Sequence, residues 1–244
     1  MARRFIVNDE DIKILSNNCF EISGNEVKHI QVLRHNVGEL IVVNKYICKI
    51  SKMTKNTVIL EIEDEAPNRG IPNINLTLYM AMVKNDKMDF IVQKAVELGV
   101  KKIVPFLSCN VIVKLDEKSK KKRKEKLQII ANEACKQCGR TDLVEVSDFI
   151  SFDGMLNNLR GINLFAYENE KNNLKESINN IKDKLASKDV SINCIVGPEG
   201  GFTENEYKLL SKAKDTYTIS LGSRILRAET AALNIISIIM YEFD

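Results

Sequence analysis

The 244-residue chain has only two histidines, His29 and His35, a single C-x-x-C (Cys135 and Cys138) and no apolar run of membrane-spanning length. Each shortage removes a class of function. A structural zinc site needs four ligands, usually as two spaced pairs, and here the second pair is missing because both histidines lie far upstream of the cysteines, so no metal is expected. Neither histidine sits in a nucleophile motif, which argues against a Ser-His-Asp or Cys-His hydrolase. The longest apolar run, residues 235–240, is broken by Ser237 and falls far short of the roughly 20 residues that span a bilayer. Residues 1–20 mix arginine with Asp9, Glu10 and Asp11 and hold no apolar stretch of signal-peptide length. A cytoplasmic protein with no membrane partner is therefore expected. In that setting the six cysteines read as reduced, mostly buried thiols.

Strong charge of one sign is also missing. The net charge is +3, so any affinity for nucleic acid has to come from a local basic surface. The phosphate-binding patterns G-x-x-x-x-G-K-[ST] and G-x-G-x-x-G are absent as well, which disfavours a nucleotide hydrolase.

What is present divides near residue 70. Before it, β-branched runs at 5–7, 40–43, 47–50 and 57–62 read as short strands around a helix over 25–34 with Val27, Ile30 and Leu33 on one face, which suggests a small barrel. Residues 66–73 carry Pro67, Gly70 and Pro72 among polar neighbours, as a linker does. Beyond it strands at 76–83, 102–106, 162–167, 192–196 and 217–221 alternate with helices at 87–98, 119–138, 174–185, 203–213 and 228–243. That alternation predicts an α/β domain with a parallel sheet covered on both faces. In the 119–138 helix Leu127, Ile130, Ala131, Ala134, Cys135 and Cys138 form one apolar stripe, so both cysteines are expected in the core. Ahead of the stripe, residues 117–126 are almost entirely charged. That is either a solvated face or a surface for phosphates, with no aromatic residue to stack bases.

Two glycine turns follow two late strands. The first is Val196-Gly197-Pro198-Glu199-Gly200-Gly201, closed by Thr203 and Glu206 in a capping-box pattern. The second is Leu221-Gly222-Ser223-Arg224-Ile225-Leu226-Arg227-Ala228-Glu229-Thr230. Turns at the carboxyl ends of strands are where α/β proteins hold small molecules. Two arginines and a glutamate in the second exceed what a connecting loop requires.

Together, Gly-Pro-Glu-Gly-Gly-Phe at 197–202 and Leu-Gly-Ser-Arg-Ile-Leu-Arg-Ala-Glu-Thr-Ala at 221–231 resemble the RsmE family of ribosomal RNA methyltransferases, of the SPOUT class. The resemblance extends to Lys87 through Gly99, to Glu133-Ala134-Cys135-Lys136-Gln137-Cys138-Gly139-Arg140, and to His29-Ile30-Gln31-Val32-Leu33-Arg34 with Gly38. It departs at Asn44-Lys45-Tyr46, where an Asp-Gly turn is usual, at Asn110, where arginine is common and an RNA contact could change, and at Val144, which replaces a proline. It implies a PUA-like RNA-binding β-barrel over 1–70 and a trefoil-knotted methyltransferase domain over 74–244. It further implies S-adenosyl-L-methionine as cofactor, N3 of a uridine in 16S ribosomal RNA, free or in a small-subunit particle, as substrate, and a homodimer. The dimer also suits the final helix, which is apolar around much of its circumference.

On this reading the cofactor lies on Val196, Gly197, Pro198, Glu199, Gly200, Gly201, Leu221, Gly222, Ile225 and Leu226. Uridine N3 must lose a proton, which asks for a cation to stabilise the anion or a carboxylate to accept the proton. Arg227, Glu229 and Arg224 are the candidates, with Arg227 and Glu229 equally able to pair and brace the turn. Arg34, Lys84, Lys87 and Lys94, with Lys28, His35 and the run 118–126, are the expected RNA contacts. A module that binds RNA without reacting is the remaining alternative, opposed by the intact pair of turns.

Overall fold

A computed structural model of the chain describes residues 3–67, 70–110, 116–168, 170, 174–185 and 191–244. Asn68 and Arg69 of the expected linker lie outside the described residues. The chain divides into two compact units, residues 1–71 with 135–143, and residues 72–134 with 144–244. The helix Glu117–Cys138 thus contributes its last turn to the first unit.

The first unit is a six-stranded sheet. Its strands are β1 (Arg4–Phe5), β2 (Ile12–Ser16), β3 (Cys19–Ile22), β4 (Leu40–Val43), β5 (Tyr46–Met53) and β6 (Val58–Glu65), in the order β1-β4-β5-β6-β3-β2. All neighbours are antiparallel except β1 and β4. Alternation decides which face is buried: Phe20 and Ile22 point inward from β3, Cys48 and Ile50 from β5, Val58 and Leu60 from β6. Val27 and Ile30 of α1 (Asn25–Val32) complete that core. The turn between β4 and β5 works without the usual glycine because Asn44 takes φ 51°, a conformation asparagine tolerates better than most residues. Its side chain accepts from the Val7 amide at 2.9 Å and donates to the Val7 carbonyl at 2.9 Å. Residues 135–143 belong here through Lys136, whose ammonium is 2.6 Å from Glu26, and through Arg4, which donates to the carbonyls of Gly139 and Arg140.

The second unit holds seven strands: β7 (Asn75–Ala81), β8 (Lys102–Leu107), β9 (Glu145–Val146), β10 (Ile150–Ser151), β11 (Ile162–Ala166), β12 (Ser191–Val196) and β13 (Thr216–Ile219). All pairs are parallel, in the order β10-β8-β7-β12-β11-β13, with β9 on β8. The α/β class with a parallel sheet is the expected one. Leu76, Leu78, Tyr79, Met80 and Ala81 of β7 are all buried whichever way they point, because helices cover both faces. These helices are α2 (Asn85–Glu97), α3 (Glu117–Cys138), α4 (Phe152–Asn158), α5 (Leu174–Leu185), α6 (Glu204–Ser211) and α7 (Ala228–Phe243). α2 ends in a Schellman arrangement, with Gly99 at φ 103° donating to the Val96 carbonyl and Val100 to that of Ala95.

α3 corrects two expectations. Cys135 is buried but Cys138 is exposed, since the stripe is shared between two units and stops at the turn where the helix passes from one to the other. The charged run is not one uniform face. Arg123 is 8% exposed, donates to the Asn85 carbonyl at 2.7 Å and lies 2.7 Å from Asp89, so it clamps α3 to α2.

Candidate active site

Three loops follow three neighbouring strands, β12, β11 and β13, and together enclose a cleft of about 320 Å³ at the carboxyl end of the sheet, a size within the range for small-molecule sites. Val196 to Glu199, Gly201 and Phe202 line it from the first glycine turn, Ser220 to Gly222 and Arg224 to Ala228 from the second. Of the ten residues expected to hold a cofactor only Gly200 is not part of the wall. The sequence reading did not find Ala166, Tyr167 and Glu168 after β11, because nothing in their composition sets them apart. Only the strand order, with β11 between β12 and β13, brings them in.

The first turn is tightly braced. Gly201 donates to the Pro198 carbonyl at 3.0 Å and takes φ 69°, and a Cβ there would sit 3.1 Å from Glu168 Oε1. Phe202 anchors the turn from below, edge-on to Phe165 at 4.9 Å and stacked on Phe106 at 6.3 Å. The expected capping box is present at the start of α6: Thr203 Oγ1 accepts from the Glu206 amide, and Glu206 Oε2 accepts from the Thr203 amide at 2.9 Å. Glu206 does more than cap. Its Oε1 accepts the Cys109 amide at 2.9 Å, tying in the loop after β8. Burial pushes its carboxyl upward, but the Thr203 and Cys109 amides outweigh this and hold it below the ordinary value of 4.5. Asn110, on the same loop, donates to the Gly200 and Gly201 carbonyls at 3.3 and 3.1 Å. The residue whose departure bears on a possible RNA contact is therefore a brace of the first glycine turn.

Arg227 stands at the N-cap position of α7 and, like Arg224, faces the cleft. It is not the partner of Glu229. That role falls to Lys87, whose ammonium lies 2.5 Å from Glu199 and 3.5 Å from Glu229 Oε2. The neighbouring carboxylate of Glu199 above all holds the Lys87 ammonium above its ordinary range, so it stays charged. Lys87 thus lines the cleft from α2, although the sequence grouped it with RNA contacts. Of the other expected RNA contacts, Arg34 is exposed at φ 58° after α1, Lys84 is exposed at the N-cap of α2, and Lys94 pairs with Glu97 at 2.9 Å.

The lining suits S-adenosylmethionine. Apolar walls from Val196, Ile225 and Leu226 accommodate a nucleoside, close backbone approach is open at Gly201, and Glu168 offers negative charge to a cationic ligand. The fold and cleft define an RNA methyltransferase domain, and that family matches residues 71–240. A ribosomal RNA small subunit methyltransferase E of Bacillus subtilis (strain 168) is 35% identical, the match covering 99% of this chain and 97% of the relative. One from Rickettsia conorii is 33% identical over 79% and 75% of the two chains. The crystal structure of the Neisseria gonorrhoeae ribosomal RNA small subunit methyltransferase E, bound to S-adenosyl methionine, superposes with a TM-score of 0.83 at 30% identity, covering 100% of this chain and 98% of that one. The chain belongs to the ribosomal RNA small subunit methyltransferase E family.

Proposed function

We propose that this chain is an S-adenosylmethionine-dependent methyltransferase acting on N3 of a uridine in 16S ribosomal RNA. The observation that carries the reading is the cleft itself, built by both glycine turns at the carboxyl ends of adjacent parallel strands. The S-adenosyl methionine in the Neisseria relative supports the choice of cofactor. Bound there, the cofactor supplies a methyl group activated by a sulfonium. The protein's part is to align it with N3 and to manage the N3 proton. Val196 to Gly201 and Leu221 to Leu226 hold the cofactor, and Arg224 and Arg227 stabilise charge on the acceptor.

Residues 1–70 act as a PUA-like RNA-binding module and residues 74–244 as the knotted catalytic domain. Arg34, Lys84 and Lys94 contact the RNA, with Lys118, Lys121 and Lys122, which are exposed on α3. Such phosphate contacts position the substrate without specifying it. The protein works as a homodimer in the cytoplasm; Leu233, Ile238 and Met240, only partly buried on α7, together with Tyr241, 90% exposed, support a paired surface. Among the described residues no helix is long and apolar enough to cross a membrane. Incubation with labelled S-adenosylmethionine and small-subunit RNA, followed by nucleoside mass spectrometry, should give 3-methyluridine. Methyl on another atom, or none, would overturn the activity, and sedimentation showing only monomer at micromolar concentration would overturn the dimer.

A further inference from the structure

Lys87 sits between two carboxylates that are not equivalent. Glu199 lines the cleft and grips the ammonium at 2.5 Å. Glu229 stands behind it, on the first turn of α7; its buried Oε2 faces the same ammonium at 3.5 Å but makes no hydrogen bond in good geometry. A buried carboxylate oxygen left without a donor is costly, and here it lies about one ångström beyond the grip of a lysine already engaged elsewhere. From these positions we propose that Glu199 is the acceptor of the uridine N3 proton and that Lys87 changes partner, from Glu199 to Glu229, as the proton arrives.

This rests on the methyl-transfer reading above and assigns the proton that it leaves unplaced. N3 forms its bond to the methyl carbon while the carbon–sulfur bond breaks with its electron pair remaining on sulfur. The N3 proton passes to Glu199, which becomes neutral. A neutral Glu199 no longer holds the ammonium, whereas Glu229 has an open acceptor for it. The charge removed at one end of the lysine is recovered at the other, so the ammonium is never left without a counter-ion in the cleft. Glu199 is chosen over Glu229 because it forms part of the wall, and over Glu168, also in the wall, because only Glu199 shares a cation with a waiting second carboxylate. The remaining charged groups of the wall, Arg224 and Arg227, come from the second turn.

Glu199→Gln reproduces the neutral state without changing shape, which gives a test independent of turnover. A crystal structure of that variant with S-adenosylhomocysteine should show Lys87 Nζ drawn in from 3.5 Å to about 2.7–2.9 Å from Glu229 Oε2 and released from residue 199, and a lysine still resting on residue 199 would overturn the exchange. Single-turnover methylation by the same variant, measured at saturating S-adenosylmethionine, should fall at least about 100-fold, the usual contribution of a general base. An unchanged rate, or a loss accounted for by cofactor affinity, would overturn the role of Glu199. If wild-type protein failed to make 3-methyluridine, the activity would fall, while the lysine's position in the variant would still decide the exchange.

Discussion

Glu206 accepts the backbone amide of Cys109 at 2.9 Å while its other oxygen caps α6 at Thr203. One buried carboxylate thus fixes both the end of the first glycine turn and the loop that braces it. Its carboxyl is held below 4.5, so the stabilisation it gives is complete above the unfolded-state value and disappears as pH falls through the lowered one. Glu206→Gln can no longer accept at both oxygens and should destabilise the protein by about 1–3 kcal/mol at neutral pH. Urea denaturation at a series of pH values should show the gap between wild type and variant closing under acidic conditions. A gap that stays constant there would mean the carboxylate's charge plays no part.

Arg227→Ala should separate chemistry from binding. Arg227 faces the cleft without forming the brace to Glu229, so its removal should leave RNA affinity nearly unchanged and lower the single-turnover rate by about 10²–10³-fold, as for loss of one group that stabilises developing charge. Filter binding and rapid quench on the same preparation would check it.

Within the basic run of α3, position decides the outcome. Replacing Lys118, Lys121 and Lys122 by glutamine should weaken binding to every RNA alike and reduce the salt slope by roughly 0.7–0.9 for each phosphate no longer neutralised. Arg123→Ala should instead destabilise the fold by about 1–3 kcal/mol, because it leaves Asp89 Oδ1 and the Asn85 carbonyl on α2 without their partner while Lys126 keeps the other Asp89 oxygen. Thermal melts and salt titrations distinguish the two behaviours.

Gly201→Val should abolish binding of S-adenosylhomocysteine, since it forces a β-branched residue to φ 69° and pushes against Glu168. Asn110→Ala should weaken the same binding more mildly by freeing the turn's carbonyls. Calorimetry finding full affinity in the valine variant would move the cofactor elsewhere.

Periodicity in the sequence carried the parallel-sheet domain well: runs such as 192–196 are apolar but for Asn193 because both faces are covered, and the glycine turns mark where those strands end. Other features depend on geometry that no local pattern encodes. The hairpin β2–β3 escaped because the apolar residues Ile12, Ile14 and Leu15 alternate imperfectly around a bulge, although the Asn17-Asn18 pair was a usable turn signal. α4 escaped because Gly154 and two asparagines mask its helical face, leaving only Phe152 and Met155 buried. Lys87 was grouped by charge with surface lysines, and only the packing of α2 beside the two turns brings it into the cleft. Cys138 shows the reverse error, a stripe extrapolated one turn past the point where the helix changes its surroundings.

That change of surroundings along α3 also sets an order of events during synthesis. The first unit is incomplete at Ile71, since Arg4 donates to the carbonyls of Gly139 and Arg140 and Glu26 pairs with Lys136. At roughly 5–20 residues per second, its last piece leaves the ribosome about 4–14 s after residue 71 does. Until then the N-terminal unit has all its strands but lacks residues 135–143, while residues 72–134 of the second unit are being made. A fragment truncated at the linker would therefore lack part of its own fold, because the unit that begins the chain is finished only by residues 135–143.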